Sequence, residues 1–560
     1  MQTIRAANQS KTEMKINCRI VGIVLAAVVL LTAAAIAGHR AYSTQRLEKD
    51  FPFEKSFYAG GRQDNSSSVS MLPGSTIWVL RDPKESLMLK LNLDRNAEIA
   101  FHSGEKSLGA LKFRWPYWEM SIAFDARTLG SASFLKMQLR SQEEVRVQNC
   151  EVWTNRQHSK VLILGLDGAS WRLLDPLIRS NRCPNFARLT REGAYGKLIS
   201  EEPTYSPVVW TTIATGKSAE EHGITFFVAR NKPETSDTIR VKRFWNIFTE
   251  FSNLNSVILG WYLTWPVENI SGAMISDRAY YKSKAKRLSY PFDVFDEDYT
   301  NTFGRINANL ESSLTRFTPF KFERDFQKKF PKDSVERRVS QIMKSRLATV
   351  YRRDESYAQF GLKLLRTLQP DVFAVYLRGA DFTQHGFWKY MDPESVPFFP
   401  VTDQEKQWLN RVIENYYIYL DEVLGQYLNE LGPDDTIFLV SDHGFQPISK
   451  EEAGDPELSG EHKLEGILFC KGPAFRKGYE IPQPSIYDFL PTLLHISGLP
   501  AAEDMKGKVL TGAFLPEYLA SHPVKRISSY GAKVKSDLQQ SPGNLDEEIR
   551  QELRSLGYIQ

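Results

Sequence analysis

Four largely apolar runs recur along the chain from residue 160 onward, at residues 161–166, 371–377, 436–440 and 467–470. Short runs of this kind are typical of strands buried on both faces of a sheet. Amphipathic segments lie between them, beginning with the one after Ser170, which is predicted to cap a helix. The pattern therefore predicts an α/β fold with a mostly parallel central sheet and helices on both faces.

Other patterns flank this region. Residues 71–157 contain short β-prone segments separated by Asp, Asn, Gly and Pro, which is typical of a small, sandwich-like β-rich domain. Residues 39–70 are polar and are predicted to be a linker. The stretch from about 225 to 370 is rich in aromatic and basic residues, and we expect it to contain a cap or insertion beside the site. Its charged run, 321–353, is predicted to be a solvated helical face.

Residues 20–38 contain no charged side chain and, at about 1.5 Å per residue, are long enough to span the ~30 Å hydrocarbon core of a bilayer. Basic residues precede them, so the positive-inside rule places residues 1–19 in the cytoplasm and the rest on the exoplasmic side. In a bacterium, the expected arrangement is an inner-membrane protein whose large folded domain faces the periplasm. The small residues 35–37 support a second interpretation, a cleaved signal peptide and a secreted protein.

The composition is that of a folded globular chain, with 42% hydrophobic and 25% charged residues, which excludes a mainly disordered or polytopic membrane protein. The formal net charge of +4 is too small to indicate nucleic-acid binding. The four cysteines exclude a dense disulfide scaffold, and Cys18 would lie at the membrane edge. At most one disulfide could therefore form among Cys150, Cys183 and Cys470.

Candidate metal ligands lie at or near the ends of the predicted strands, where open α/β sheets bind their ligands. In chain order they are Asp167, the pair Asp381 and His385, the pair Asp442 and His443, and His462. Each has an ordinary structural explanation when taken alone, such as a helix cap or a surface pair, and only their occurrence together indicates a metal centre. Three carboxylates and three imidazoles suit Zn²⁺ or Mn²⁺, and six ligands are about right for two ions.

A serine supplies a candidate nucleophile. Ser206 precedes Pro207, which favours an extended conformation for the serine, and the residues that follow are typical of a helix. A serine in this position is usually only a helix cap. A bound metal ion would lower the pKa of its hydroxyl, and the helix N-terminus would offer backbone N–H groups to a phosphate.

These segments resemble the type I phosphodiesterase/nucleotide pyrophosphatase branch of the alkaline phosphatase superfamily. The matching motifs are LILGLDGASW, PNFARLTREGA, PTYSPVVWTTIATG, HGI, DFTQHGFW, SDHGF, GEHKLEGILFCKGP and IYDFLPTLLHISGLP, in the family order. The C-terminal LRSLGYI is similar to the C-termini of the family. The resemblance implies an alkaline-phosphatase-like fold in a membrane-anchored bacterial member that binds two zinc ions, with manganese as the alternative.

The resemblance also implies a role for each site residue. One ion would be held by Asp381, His385 and His462. The other would be held by Asp167, Asp442, His443 and the nucleophile Ser206. The reaction implied is an in-line displacement through a phosphoseryl intermediate, which water or an acceptor alcohol then releases.

The chain departs from the family pattern just after the nucleophile. Nucleotide-cleaving members carry an asparagine there that binds a phosphate oxygen, whereas Val208, Val209 and Trp210 occupy the corresponding positions in this sequence. The loss of a polar donor argues against nucleotide pyrophosphatase activity. His222, in the HGI motif, is interpreted as structural.

The function predicted is a metal-dependent phosphoric ester hydrolase, either a phosphodiesterase or a phosphatase. A phosphotransferase acting on lipid-linked or envelope-glycan substrates is the main alternative, because the anchor would hold the site near lipid head groups. A sulfatase would need a C/S-x-P-x-R motif, which is missing at both Ser206 and Cys183. A phosphoglycerate-mutase-like enzyme would be cytosolic, and a catalytically inactive anchored binding module would have lost ligands, all of which are present.

The predicted organisation combines these assignments. In chain order it has a cytoplasmic segment at 1–19, a transmembrane anchor at 20–38, a linker at 39–70, the β-rich domain at 71–157, the catalytic domain at 158–530 and a C-terminal tail with a short helix at 531–560. The predicted partners are a phosphate-ester substrate and, through the anchor, the membrane.

Overall fold

The computed structural model describes residues 159–533, with gaps at 230–231, 253, 282–287, 291–295, 322–328 and 456, together with residue 550. It also describes residues 54–154, with gaps at 56–57, 60–61, 64–68, 72–75, 81–86, 104–105, 114–118, 125–133 and 144. The predicted cytoplasmic segment 1–19, the anchor 20–38 and nearly all of the tail 531–560 lie outside the described residues. No helix in the described part of the chain is both long and apolar enough to cross a bilayer.

Residues 54–154 form antiparallel strands. In chain order these are β1 Glu54–Lys55, β2 Tyr58–Ala59, β3 Arg62–Gln63, β4 Val69–Met71, β5 Thr76–Leu80, β6 Leu87–Leu93, β7 Ala97–Ser103, β8 Lys106–Phe113, β9 Glu119–Phe124, β10 Phe134–Leu139 and β11 Val145–Thr154. They form two sheets, β3-β4-β11-β6-β9 with β1 on β11, and β2-β5-β10-β7-β8. Alternate residues such as Leu135, Met137 and Leu139 are buried, as expected for sheets that each bury one face. Strands β1–β3 fall within the segment predicted to be a linker.

The strands from residue 160 onward build a nine-stranded central sheet, which carries the site, and three separate two-stranded sheets. They are β12 Val161–Leu166, β13 Ala194–Ile199, β14 Val228–Ala229, β15 Lys232–Pro233, β16 Ser256–Leu259, β17 Gly272–Ile275, β18 Ser289–Tyr290, β19 Val372–Leu377, β20 Thr436–Val440, β21 Gly444–Pro447, β22 Gly460–Lys463, β23 Glu465–Lys471, β24 Tyr479–Glu480, β25 Ala501–Ala502 and β26 Arg526–Ile527. The central sheet has the order β18-β17-β16-β19-β12-β20-β23-β13-β24. Strands β17 to β20 along this order are parallel, whereas β23 runs antiparallel to both of its neighbours. The prediction of a mostly parallel sheet is confirmed.

Helices lie on both faces of this sheet. In chain order they are α1 Trp171–Arg179, α2 Pro184–Glu192, α3 Ser206–Thr215, α4 Ala219–His222, α5 Phe244–Phe251, α6 Asp296–Ala308, α7 Leu310–Leu314, α8 Val335–Ile342, α9 Thr349–Leu368, α10 Gly379–Met391, α11 Asp403–Leu409, α12 Val412–Leu428, α13 Phe489–Ile496 and α14 Pro516–Ser521. Leu162 and Leu164 of β12 pack into one hydrophobic core, and Val161 and Ile163 pack into the other. Since successive strand residues point to opposite faces, the two cores lie on opposite sides of the sheet.

The basic stretch at 225–370 differs from its prediction. Strands β16 and β17 of the central sheet come from it, and a π-helical segment, Met343–Ala348, joins α8 to α9. Arg346 and Arg353 are only 3% and 5% exposed, so the prediction of a solvated helical face is wrong at these positions. The reason is that this helix buries an apolar side, including Val339, in the hydrophobic core on one face of the sheet. Cys183 and Cys470 are buried free thiols.

Candidate active site

Three adjacent parallel strands bring their carboxyl ends to one edge of the sheet. Asp167 follows β12, Asp442 follows β20 after one serine, and Asp381 lies in the first turn of α10, just beyond β19. The backbone N–H of Asp381 donates to the Asp167 carbonyl at 3.0 Å, and the N–H of Gly168 donates to Asp442 Oδ1 at 3.2 Å. These contacts hold the three carboxylates together, at the edge where the strand-end argument expected them.

Gly168 makes this close approach possible. Its φ is +69°, in the left-handed region, and a Cβ there would lie 2.8 Å from the Phe445 ring and 3.0 Å from Cα of Asp381. Any side chain at this position would therefore separate the loop after β12 from α10.

Asp381, His385 and His462 form the first group of candidate ligands. Asp381 and His385 are four residues apart and therefore lie on one side of α10, with Oδ1 of the former 3.4 Å from Nε2 of the latter. His462 lies on β22, which pairs with β21, and its Nε2 is 3.2 Å from Asp381 Oδ1. The two histidine Nε2 atoms are 3.0 Å apart.

The three site histidines share one tautomer in their neutral forms. Nδ1 of His385, His443 and His462 contacts the backbone carbonyl of Gly460, Gly444 and Thr204, respectively, at 2.8, 3.1 and 2.9 Å. A carbonyl oxygen can only accept, so each Nδ1 is the donor, and each Nε2 carries a lone pair. Backbone partners of this kind commonly orient metal-binding histidines, and here all three leave Nε2 facing the site.

Asp167, Asp442 and His443 form the second group. His443 Nε2 lies 3.4 Å from Asp167 Oδ1 and 3.4 Å from Asp442 Oδ2, and all three residues are fully buried. These three atoms have no hydrogen-bond partner among the described residues. Asp381 belongs to both groups, because its carboxylate lies within 4.8 Å of ligand atoms of Asp167 and His443 as well. The two groups are therefore contiguous.

The pKa values of the ligand carboxylates show that neighbouring side chains do not balance the charges of Asp167 and Asp442. Burial, reinforced by Asp381, raises the pKa of Asp167 to about 6. Burial and the charge on Asp167 raise the pKa of Asp442 well above its usual range. For Asp381, burial acts in the same direction, but His385 and His462 outweigh it and lower the pKa. Adjacent like charges in a dry site are costly unless cations lie between them.

The donor set fits divalent cations. Two lone-pair-bearing Nε2 atoms at 3.0 Å repel each other unless a cation lies between them, and the second group contains three buried polar atoms without partners. Nitrogen and carboxylate oxygen donors without thiolates match Zn²⁺ or Mn²⁺. Asp381, His385 and His462 would hold one ion, and Asp167, Asp442 and His443 would hold the other.

Ser206 is the first residue of α3 and is buried. Tyr205, in an extended conformation, occupies the N-cap position, so the serine itself does not cap the helix. Two residues before the serine, Thr204 accepts from His462 Nδ1 through its carbonyl oxygen and also places Oγ1 3.2 Å from that nitrogen. This contact brings the start of α3 next to the first ligand group.

Sequence reasoning missed the residues that support the ligands. The hydroxyl of Tyr376, in β19, donates to Asp167 Oδ2, and the ring of Phe445 lies 4.8 to 5.7 Å from all three histidine rings. In the sequence, Tyr376 lies within an apolar run and Phe445 within the SDHGF motif, and neither pattern indicates contact with the ligands. A tyrosine in a fully buried strand needs a partner for its hydroxyl, and this was the available signal for Tyr376.

Two further predicted residues lie outside the ligand groups. His222 is fully buried; its Nδ1 accepts from the N–H of Ile224 and its Nε2 lies 3.1 Å from Thr212 Oγ1. Burial lowers the pKa of His222 to about 4, in keeping with a neutral structural histidine. Trp210, where nucleotide-cleaving relatives were expected to differ, packs on Tyr376 and Trp261 beneath the site, with ring centroids 4.9 and 5.0 Å away.

Comparisons with known proteins match the same region. The model of the family described as type I phosphodiesterase/nucleotide pyrophosphatase matches residues 161–462, just over half of the chain. No curated protein sequence matches. Solved structures similar to this chain include human ectonucleotide pyrophosphatase/phosphodiesterase 5, at 14% identity over 62% of this chain and 97% of that chain, with a TM-score of 0.36.

Two other solved structures are similar to this chain. The phosphonoacetate hydrolase from Sinorhizobium meliloti 1021, in complex with phosphonoformate, has 17% identity over 53% of this chain and 59% of that chain, with a TM-score of 0.33. The 2-O GAG sulfatase BT1596 has 10% identity over 63% of this chain and 74% of that chain, with a TM-score of 0.39.

Proposed function

We propose that this chain, which belongs to the type I phosphodiesterase/nucleotide pyrophosphatase family, cleaves phosphoric esters with Ser206 as the nucleophile and two divalent metal ions. Membership of the family makes it a hydrolytic enzyme of the alkaline phosphatase superfamily. The observation that carries this proposal is the pair of contiguous ligand groups sharing Asp381, beside the start of α3. Three carboxylates carry a charge of −3 and two divalent ions carry +4. The deprotonated hydroxyl of Ser206 would bring the sum to zero.

When bound, divalent ions would lower the pKa of the serine hydroxyl and neutralise charge on the phosphoryl oxygens. Ser206 Oγ attacks phosphorus in line with the ester oxygen that leaves, and its proton passes to solvent. The P–O bond to the leaving group breaks, the leaving oxygen takes a proton from water, and the phosphoryl group remains on Ser206. Water then attacks the same phosphorus, the P–Oγ bond to Ser206 breaks, and the serine oxygen takes up a proton to replace the one that the attacking water releases.

Residues around the nucleophile prepare this reaction. Pro207 is the second residue of α3, directly after the serine, and the partial positive charge of the helix N-terminus favours a phosphoryl group there. Thr204 fixes the tautomer of His462, and Tyr376 orients Asp167. The amide of Gln384 donates to the Gly168 carbonyl at 2.8 Å, which holds the loop after β12 against α10.

The test of the nucleophile is Ser206→Ala in the full-length protein, with an aryl phosphodiester as substrate and Zn²⁺ or Mn²⁺ present. We expect turnover to fall by on the order of 10³-fold or more, with zinc content and thermal stability unchanged. Ser180→Ala, an exposed helix-end serine remote from the ligands, is the matched control and should keep full activity. Turnover near that of the unaltered protein in Ser206→Ala would reject the assigned nucleophile.

The substrate class and the location extend the proposal. A panel of phosphodiesters, phosphomonoesters and sulfate esters, each with and without an acceptor alcohol, separates hydrolysis from phosphotransfer to lipid-linked or glycan-linked acceptors. Metal analysis of the purified protein separates an active enzyme, with about two ions per chain, from an inactive binding module with none.

We further propose that residues 20–38 anchor the chain with the catalytic domain on the exoplasmic side.

A further inference from the structure

The long helix beside the site is interrupted by a π-helical segment, Met343–Ala348, between α8 and α9. The Thr349 hydroxyl donates to the carbonyl of Lys344, five residues earlier, at 3.2 Å. A π-helical turn inside an α-helix costs regular hydrogen bonding and frequently occurs at functional sites. Arg346 lies within it.

Arg346 is almost completely buried, and its stem packs on the turn of α10 that carries His385. A Cβ on Gly386 would lie 3.2 Å from Cγ of Arg346, so the glycine leaves the space through which this stem passes. At the end of the side chain, Nη2 lies 3.5 Å from Glu457 Oε2, and Nη1 has no hydrogen-bond partner among the described residues.

Glu457 begins the segment that leads to His462. Two residues later, the Ser459 N–H donates to the His385 carbonyl at 2.8 Å, and Ser459 Oγ accepts from the N–H of Lys389 at 3.1 Å. The next carbonyl, that of Gly460, accepts from Nδ1 of His385. The segment 457–460 is thus bound to α10 at a metal-ligand residue, and it continues directly into β22.

Stability alone does not account for this arginine. A buried guanidinium that has one half-exposed carboxylate at 3.5 Å and an unpartnered Nη1 is costly, and replacing buried ion pairs by apolar side chains is often neutral or stabilising. A side chain retained at such a cost, in contact with both the α10 turn and the segment before β22, is well placed to fix their relative position.

We propose that Arg346 is a positioning residue for the first metal group, which it holds by fixing the segment 457–460, and with it Gly460 and His462, against His385. This inference rests on the proposed two-metal site. Partners that orient metal-ligating histidines typically contribute about 10–100-fold to metal affinity. Loss of Arg346 should therefore weaken the binding of one ion selectively and leave unchanged the binding of the other, which is held by residues that follow β12 and β20.

The test is Zn²⁺ binding to the metal-free full-length protein, measured by competition with a chromogenic zinc chelator. In Arg346→Met we expect one of the two ions to bind about 10-fold more weakly. Turnover should fall at limiting zinc and return to within about 2-fold of the unaltered protein at saturating zinc, since the arginine does not touch the substrate. Glu457→Gln should shift the same ion in the same direction by a smaller factor.

Arg338→Met is the matched control, because Arg338 lies on the same long helix but pairs with Glu405 at 3.2 Å, whereas Arg346 pairs with Glu457. Its zinc affinities should equal those of the unaltered protein. If Arg346→Met binds both ions unchanged, or weakens both equally, the inference is wrong. If Arg346→Met does not fold, unchanged zinc affinity in Glu457→Gln overturns it. If the unaltered protein binds no zinc, the proposed function itself fails, and this inference fails with it.

Discussion

Among the residues that the structure describes, two buried groups of charged side chains differ in how their charges are balanced. Around Glu268, Arg243 lies at 2.6 Å and Lys533 at 2.5 Å, and the Trp245 indole N–H donates to the same carboxylate at 2.7 Å. Burial opposes ionisation of Glu268, but the two cations outweigh it and lower its pKa to about 2. This group supplies its own counter-charge.

The ligand groups at the sheet edge are the opposite case. Asp167 and Asp442 are fully buried, and their pKa values are raised, whereas that of Glu268 is lowered. The charge of Glu268 is therefore balanced by side chains of the chain itself, whereas the charges of Asp167 and Asp442 would be balanced only by bound cations. The comparison teaches that burial of charge does not by itself mark a functional site; an unbalanced charge of one sign does.

The largest effect should come from removing the carboxylate of the Glu268 cluster. Glu268→Gln leaves Arg243 and Lys533 buried with no anion between them, and breaking a buried pair in this way typically costs about 3–5 kcal/mol of unfolding free energy. Urea unfolding of the metal-free protein measures this. Zinc affinity should not change, because Glu268 is not among the ligand groups.

The control for Glu268→Gln is Glu430→Gln. Glu430 pairs with Arg366 at 2.7 Å, a similar distance, but the arginine is largely exposed. We expect a loss of about 1 kcal/mol or less. Equal losses of unfolding free energy in the two variants would show that burial does not make the Glu268 cluster more important for stability than a surface ion pair.

The sequence predicts the two clusters unequally well. Asp167, Asp442 and His443 follow buried apolar runs directly, and strand ends of a parallel sheet meet at one edge, so their proximity follows from pattern alone. The contact of Lys533 with Glu268 leaves no such pattern, because it depends on where the chain after β26 returns to the fold. For the same reason, the burial of Arg346 in a charged run could not be predicted.

A second, smaller effect should have the opposite sign. Asp167→Asn removes a charge from the ligand groups, while the amide oxygen still accepts from Tyr376. The pKa of Asp167 is raised to about 6, so above pH 6 the metal-free folded protein keeps this group ionised at a cost. Metal-free Asp167→Asn should therefore be more stable than the unaltered protein at pH 8, by up to about 3 kcal/mol.

The pH dependence of this difference provides the check. As the pH falls through 6, the folded protein takes up a proton at Asp167 before the unfolded chain does, so the unaltered protein gains stability and the difference shrinks by pH 5. Thermal unfolding of both metal-free proteins from pH 8 to 5 measures this. Turnover of Asp167→Asn with zinc should be strongly reduced. A variant less stable than the unaltered protein at pH 8 would contradict the view that the side chains around Asp167 do not balance its charge.

The smallest effect concerns Lys533, one of two cations at Glu268. Lys533→Met leaves Arg243 in place, so the carboxylate stays paired, and we expect a loss of about 1–2 kcal/mol by urea unfolding. In the Glu268→Gln background the same change removes an uncompensated buried cation, and it should then be neutral or stabilising, which gives a coupling energy of about 1–3 kcal/mol. Lys506→Met, at an exposed lysine 3.8 Å from Glu201, should change stability by less than about 0.5 kcal/mol. If the losses of unfolding free energy in Glu268→Gln and Lys533→Met simply add in the double variant, the two charges do not stabilise each other. The contrast between the Glu268 cluster and the ligand groups would then rest only on the pKa values of their carboxylates.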